Sequence, residues 1–365
     1  MSTHTNYAVA PGEYLAEWLD ETGTTQQQAA DRISASRKQI NEIVNGRAPV
    51  TADTAFKLSR LTGIDADTWL RIELQYRTDL ARLHDEAELA QHASKIPAST
   101  ATFLRSLGVT KASARTPGRL VADFLAFHSY GTWQAYEDSV RNSHDGEYAL
   151  AALTESKAAF DLVACSTWLR AGELSEAFEH GRRFTFDPEA LRRIIPRLRE
   201  RAATPDDSML HDLATLLASV GVVFAMVEPP KSLPLYGMTR WIDNRVPMIQ
   251  QSGRRAKDGF IIWAFFHELG HVLNDPRGET HYEFSTKKVR TTKAEKSANA
   301  FAFDVLFGDD GLTPFDGMTS DGAIRRTAHE VGVSPGVAVQ QLHRYRKLPY
   351  NYGNQLLIDV EWGTA

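Results

Sequence analysis

Phe265-Phe266-His267-Glu268-Leu269-Gly270-His271-Val272 is the stretch from which the rest of the chain can be placed. Residues four apart share one face of an α-helix, so His267 and His271 can grip one metal ion from successive turns. Glu268 adjoins the first imidazole, where its carboxylate can take a proton from a water on that metal. Ile261, Ile262, Ala264, Phe265, Phe266, Leu269, Val272 and Leu273 make the helix apolar on nearly every side, which predicts a course through a core. Imidazoles buried in such a run need partners, because uncompensated polar groups there are costly.

Just upstream, the hydrophobic period changes. Val220 to Val227 has the form of a buried strand ended by Pro229-Pro230. Leu235 to Trp241 and Val246 to Gln250 read as two more strands, with Asp243-Asn244 turning between them. The expected fold class is therefore α+β and mostly α, with a small three-stranded sheet beside the histidine helix. An edge strand in that position can align an extended peptide through main-chain hydrogen bonds.

A catalytic zinc takes three protein ligands and keeps one position open. Asn274 and Arg277 stand where the extended metzincin motif needs glycine and histidine, which excludes that class. Helical periodicity resumes at Thr292 to Leu306. There Glu295 shares a face with the small residues Ala298 and Ala302, which would let two helices approach closely enough for its carboxylate to complete the site. Asp275, Glu279, His281 and Glu283 are alternative third ligands. An anionic intermediate needs a further donor, for which His281, Tyr282, His329, His343 and Tyr345 are candidates. Ala323 to Glu330 and Val337 to Tyr345 read as two helices forming a rear wall, with Arg344 and Arg346 leaving a second DNA-reading element as the minority view.

At the other end, residues 11 to 72 read as five short helices. Gly23 stops the first, Thr25 caps the second, and Ser36 caps the third, which closes at Asn45-Gly46. Two short helices separated by Ser34-Ala35 make a helix-turn-helix whose second member would enter a major groove. Ser36, Arg37, Lys38, Gln39, Asn41, Asn45 and Arg47 are its base- and phosphate-contacting residue types, while Ile40 and Ile43 face inward. Residues 1 to 75 hold seven Lys and Arg against ten Asp and Glu, so positive charge is local to this helix pair.

Between these ends, residues 73 to 215 are helical in pattern. They include helices expected at Leu80 to Lys95 and Tyr148 to Ala171, with Phe124, Trp133, Phe160 and Trp168 as core residues. At 365 residues the chain exceeds one usual core, and the division expected is 1–75, 76–204 and 205–365. The formal charge of −5 gives no global attraction to nucleic acid. Cys165, the single cysteine, excludes an intrachain disulfide and a multi-cysteine zinc site. No apolar run is long enough to span a membrane and the N-terminus lacks signal-peptide form, so a cytoplasmic protein without membrane partners is expected.

Two resemblances sharpen this reading. Pro11-Gly12-Glu13 leading into Leu15, Thr24-Thr25-Gln26, Ile40-Asn41-Glu42-Ile43-Val44-Asn45-Gly46-Arg47, Thr51-Ala52-Asp53-Thr54-Ala55 and Trp69-Leu70 resemble the HigA-type antitoxin branch of the XRE helix-turn-helix family. That resemblance implies a homodimer on palindromic operator DNA, repression of its own promoter and a possible toxin partner. Gly237-Met238-Thr239-Arg240-Trp241, the Phe-Phe-His-Glu-Leu-Gly-His core and Glu295-Lys296-Ser297-Ala298-Asn299-Ala300-Phe301-Ala302 resemble the ImmA/IrrE metallopeptidases. This second resemblance implies a zincin-like domain with His267, His271 and Glu295 as ligands of Zn2+, or alternatively Mn2+, and Glu268 as catalytic base. Val305-Leu306-Phe307-Gly308 departs from the ending usual in that family. The function implied is an endopeptidase fused to a DNA-binding module that cleaves a repressor or antitoxin-like protein substrate. The alternatives are a non-proteolytic regulator whose metal domain is a sensor, and a structural zinc, for which Glu268 would have no use.

Overall fold

The computed structural model describes residues 7–142, 161–284 and 292–361. The chain divides into two compact units, residues 1–94 with 112–123 and residues 95–111 with 124–365.

The first unit opens with α1 (Pro11–Thr22), α2 (Gln26–Arg32), α3 (Arg37–Val44), α4 (Ala52–Thr62) and α5 (Ala66–Leu89). Side-chain oxygens of Thr25, Ser36 and Thr51 accept from the backbone N–H of Gln28, Gln39 and Thr54, starting α2, α3 and α4 at the expected caps. Leu15, Ile40, Ile43, Leu58 and Trp69 fill the core. Gly12 lies so close to α3 that a Cβ there would stand 2.1 Å from the Ile43 carbonyl oxygen. The fifth helix is not short: no glycine or proline interrupts residues 64 to 96, and Arg77–Glu73 and Arg82–Glu86 pairs at i,i+4 support its continuation through the boundary expected at 75. Buried Glu73 also accepts from the Val50 N–H at 3.0 Å, tying the segment before α4 to α5.

Helix α7 (Pro117–His128) runs from the first unit into the second. The second unit contains α6 (Ala98–Ser106), α8 (Trp133–Asn142), α9 (Leu162–Glu173), α10 (Glu176–Gly181), α11 (Pro188–Ala203) and α12 (Met209–Ala218). Of the helix expected over 148–171, residues 148–160 lie outside the described residues. The expected boundary at 204 falls at the C-cap of α11.

The three expected strands form as β1 (Val223–Met226), β2 (Leu235–Ile242) and β3 (Val246–Gln251). A fourth, β4 (His281–Phe284), joins them in the order β1-β3-β2-β4. It is too short for a period to show in sequence, and pairing with β2, with Thr239 opposite His281, defines it. β1 runs parallel to β3 and the other pairs are antiparallel.

Helices cover both faces of this sheet, which explains why its strands read as nearly continuous apolar runs. Val223, Ala225, Met238 and Met248 pack against Cys165 and Trp168 of α9. On the opposite face, Phe224 and Ile249 meet Phe265 and Phe266 of α13 (Asp258–Asn274). Gln250 Nε2 donates to the Trp168 carbonyl at 2.7 Å, and Arg240 pairs with Glu173 at 2.8 Å, so α9 is pinned by polar as well as apolar contacts. Another part of the middle helical region shares the core of the histidine helix, through Leu191, Leu198 and Ala202 of α11.

Beyond α13 come α14 (Lys293–Phe307), α15 (Asp321–Val331) and α16 (Pro335–Arg344). Buried Asp258 at the start of α13 accepts from Ser334 Oγ at 2.9 Å and Ile358 N at 3.1 Å, which ties it to the cap of α16. At Gly270 the axes of α13 and α14 draw together: a Cβ would lie 2.9 Å from Ala298 Cα. Gly270→Leu is expected to lower stability by about 2–3 kcal/mol through overpacking, read as a fall in chemical-denaturation midpoint, and to displace Glu295 from the histidines.

Candidate functional site

α13 buries His267, Glu268 and His271 together, with 3%, 1% and 2% of their surface exposed, so their charges are settled by one another and not by solvent. Thr292 caps α14 by accepting from the Glu295 N–H, which places Glu295 in the first turn facing α13. His267 Nε2 and His271 Nε2 are 3.1 Å apart, and the Glu295 carboxylate oxygens lie 3.4 and 3.5 Å from them. A tetrahedral zinc with bonds of about 2.0–2.1 Å would separate its ligand atoms by roughly 3.3 Å, so this donor set fits the ion.

A second group, His271, Asp275 and His281, is also close enough to be weighed. Its His271 Nδ1–Asp275 Oδ2 distance of 2.6 Å is too short for two atoms bridged by a metal and suits a charge-assisted hydrogen bond. Asp275 is therefore placed to orient His271 and leave Nε2 for the metal, as outer carboxylates do. Asp275→Asn is expected to weaken zinc binding by about 10–100-fold, measured by competition with a chelator.

His281, on β4, stacks on His271 with centroids 4.0 Å apart and pairs with Asp275 at 3.2 Å. Burial and the neighbouring His271 charge lower its pKa to about 4. Burial alone would lower the His271 pKa too, but bonding to Glu295, with Glu268 and Asp275 nearby, pushes it up to about 9. Glu295 is held well below the carboxylate range by the two histidines despite its burial. The raised pKa favours the protonated form of His271 at neutral pH, so a zinc ion bound at Nε2 would have to displace that proton. Release of about one proton per zinc is expected, read by calorimetry in buffers of different ionisation enthalpy. The sign for metal-free stability follows: the raised His271 pKa contributes fully below the ordinary 6.5 and is lost as pH climbs through about 9.

Glu268 faces β2. Burial raises its pKa, while the Thr239 hydroxyl, which donates to Oε2, and the histidine charges oppose that rise. Gly237 leaves the space beside it open, since a Cβ there would sit 3.1 Å from Glu268 Oε1. Thr239 was not singled out as a functional residue in the sequence; its signal was only its place in the Gly-Met-Thr-Arg-Trp run. Among the other candidates, Glu279 reaches His281 at 3.7 Å, His343 is bound to the Tyr352 carbonyl, Tyr345 packs on Phe303, and His329 is exposed. The side chains of Tyr282 and Glu283 lie outside the described residues.

In the first unit, Ser36, Arg37, Lys38, Gln39, Asn41, Asn45 and Arg47 are all exposed on or beside α3. Some have structural duties: Ser36 caps the helix, and Asn45 Nδ2 donates to the Asn41 carbonyl at 2.7 Å. Asn41 Nδ2 donates to Gln26 Oε1 at 3.3 Å, bringing a residue of α2 to the same surface. Among the described residues, no helix is long and apolar enough to cross a membrane.

Residues 15–69 match a helix-turn-helix family, and residues 262–343 match a peptidase family described as the IrrE N-terminal-like domain. Virulence-associated protein I of Dichelobacter nodosus is 39% identical over 75 residues, 20% of this chain and 69% of that protein. The chain belongs to the helix-turn-helix family, joined to an IrrE-type domain. Virulence-associated protein A' of the same organism is 31% identical over 77 residues, covering 21% of this helix-turn-helix protein and 65% of its own length. A solved structure of Pseudomonas aeruginosa antitoxin HigA with higBA promoter shares 25% identity over 22% of this chain and 90% of its own, with a TM-score of 0.22. The IrrE-type match begins within α13 and ends within α16, so it contains both histidines, Glu268 and Glu295.

Proposed function

We propose that this helix-turn-helix, IrrE-type fusion is a DNA-binding regulator whose C-terminal domain is a zinc-dependent endopeptidase acting on a repressor- or antitoxin-like protein. The observation that carries the reading is the placement of Glu268, buried beside a two-histidine, one-carboxylate donor set and held by Thr239. Zinc would supply Lewis acidity and lower the pKa of a water to about 7. His267, His271 and Glu295 would hold it, and Asp275 would fix the His271 ring. Glu268 takes the proton of the attacking water and returns it to the leaving amine; its raised pKa suits the return. β4, an edge of the sheet, offers backbone for an extended substrate. The exposed face of α3, with Arg37, Lys38, Gln39 and Arg47, would read operator DNA, and a homodimer would match a palindromic site.

Proteome-wide sequencing of protein N-termini in cells making the wild-type chain or Glu268→Gln tests this reading, alongside mapping of DNA occupancy. New termini with the wild type alone, and equal occupancy in both, are the expected result. Identical termini with retained occupancy would leave a regulator that does not cut.

A further inference from the structure

A cavity of about 120 Å³ is bounded by β2, β3, α13 and α16. Gln251 lines it, 1% exposed, and neither its Oε1 nor its Nε2 has a hydrogen-bond partner. A buried carboxamide with both ends unsatisfied is costly in a folded protein and marks a place where a ligand group belongs. Its position ties the cavity to the reaction centre. Gln251 lies opposite Gly237 in the sheet, and the point where a Gly237 Cβ would stand is 3.6 Å from Gln251 Cγ and 3.1 Å from Glu268 Oε1. Ala264, one turn before Glu268 on α13, forms another wall.

The lining carries two cations and no carboxylate: Arg255 and Arg344, both exposed. Arg255 lies over the rings of Tyr236 and Phe260 at 5.0 and 4.7 Å. Arg344 lies over Trp263 at 4.8 Å and donates to Asn299 Oδ1 at 2.8 Å, and Asn299 in turn donates to the Glu295 carbonyl at 2.6 Å. Aromatic faces hold both guanidiniums in place, so pairing with an anion costs little further ordering.

We propose that this cavity is the specificity pocket of the peptidase centre, taking a substrate glutamate next to the scissile bond, with Gln251 Nε2 donating to its carboxylate and Arg255 and Arg344 pairing with it. The proposal rests on the peptidase reading of the same site. Glutamine in the pocket would satisfy Gln251 but bring no charge to the cations, leucine would satisfy neither Gln251 nor the cations, and lysine would meet like charge.

The test uses full-length, zinc-loaded Glu268→Gln protein and the pentapeptides acetyl-Ala-Ala-X-Ala-Ala-amide with X as Glu, Gln, Leu or Lys, their binding measured by ligand-observed NMR. The Glu peptide is expected to bind about tenfold or more tightly than the Leu peptide, with Gln between them and Lys weakest. Arg255→Ala with Arg344→Ala should bring Glu level with Gln, and Arg255→Glu should favour Lys; both sites are exposed, so folding is retained. Equal or undetectable binding of all four, or a Glu preference unchanged by the double variant, overturns the proposal. Wild-type protein that cuts the peptides regardless of X removes the pocket and keeps the peptidase. A Glu preference that depends on the two arginines, without any cutting by wild type, keeps the pocket and removes the peptidase.

Discussion

Glu268→Gln is expected to lower peptide cleavage by about 10²–10⁴-fold, the usual contribution of a positioned proton-transfer group, while zinc content stays unchanged. Glutamine keeps the shape and still offers an oxygen to the Thr239 hydroxyl. It removes only the charge that moves the proton. Because Glu268 is 1% exposed and burial already disfavours its ionised form, the neutral replacement should not lower the melting temperature. Cleavage that survives the substitution would remove Glu268 from the reaction. A loss of activity accompanied by loss of zinc or of folding would show the residue acting through structure instead.

Glu295→Ala is expected to weaken zinc binding by more than the about 10–100-fold that loss of a supporting group costs, because a ligand itself is removed. A metal-free readout accompanies it. Burial opposes the raised His271 pKa and Glu295 is the main group sustaining it, so His271 should titrate well below about 9 in the variant, followed by NMR of the imidazole. Zinc that persists in Glu295→Ala and disappears in His281→Ala would move the site to the group on the Nδ1 side of His271.

The grouping of the candidate ligands His267, His271 and Glu295 was legible in the sequence because each carries a local signal. His267 and His271 are one helical turn apart, and Ala298 and Ala302 announce the close helix crossing that brings Glu295 across. Asp275 was legible as an acid near the site, but its role on Nδ1 depends on a side-chain direction that spacing does not encode. Thr239 and Gln251 were silent for another reason: Thr239 reaches Glu268 across the packing of sheet on helix, and Gln251 is brought opposite Gly237 by β-pairing, both of which join residues far apart in the chain. The fourth strand and the length of α5 were missed because a four-residue strand has too few positions to show alternation, and a helix end was expected where neither glycine nor proline supplies one.

The alternation along β2 has a consequence for how this strand can vary. Gly237 and Thr239 turn towards Glu268, while Met238 and Arg240 turn towards α9. Inserting or deleting one residue there would turn a guanidinium towards Glu268 and leave Glu173 with Arg170 alone in a single event. Length changes in this strand should therefore be lethal to folding and chemistry alike, and mutational tolerance should be confined to point substitutions that preserve which side each residue serves.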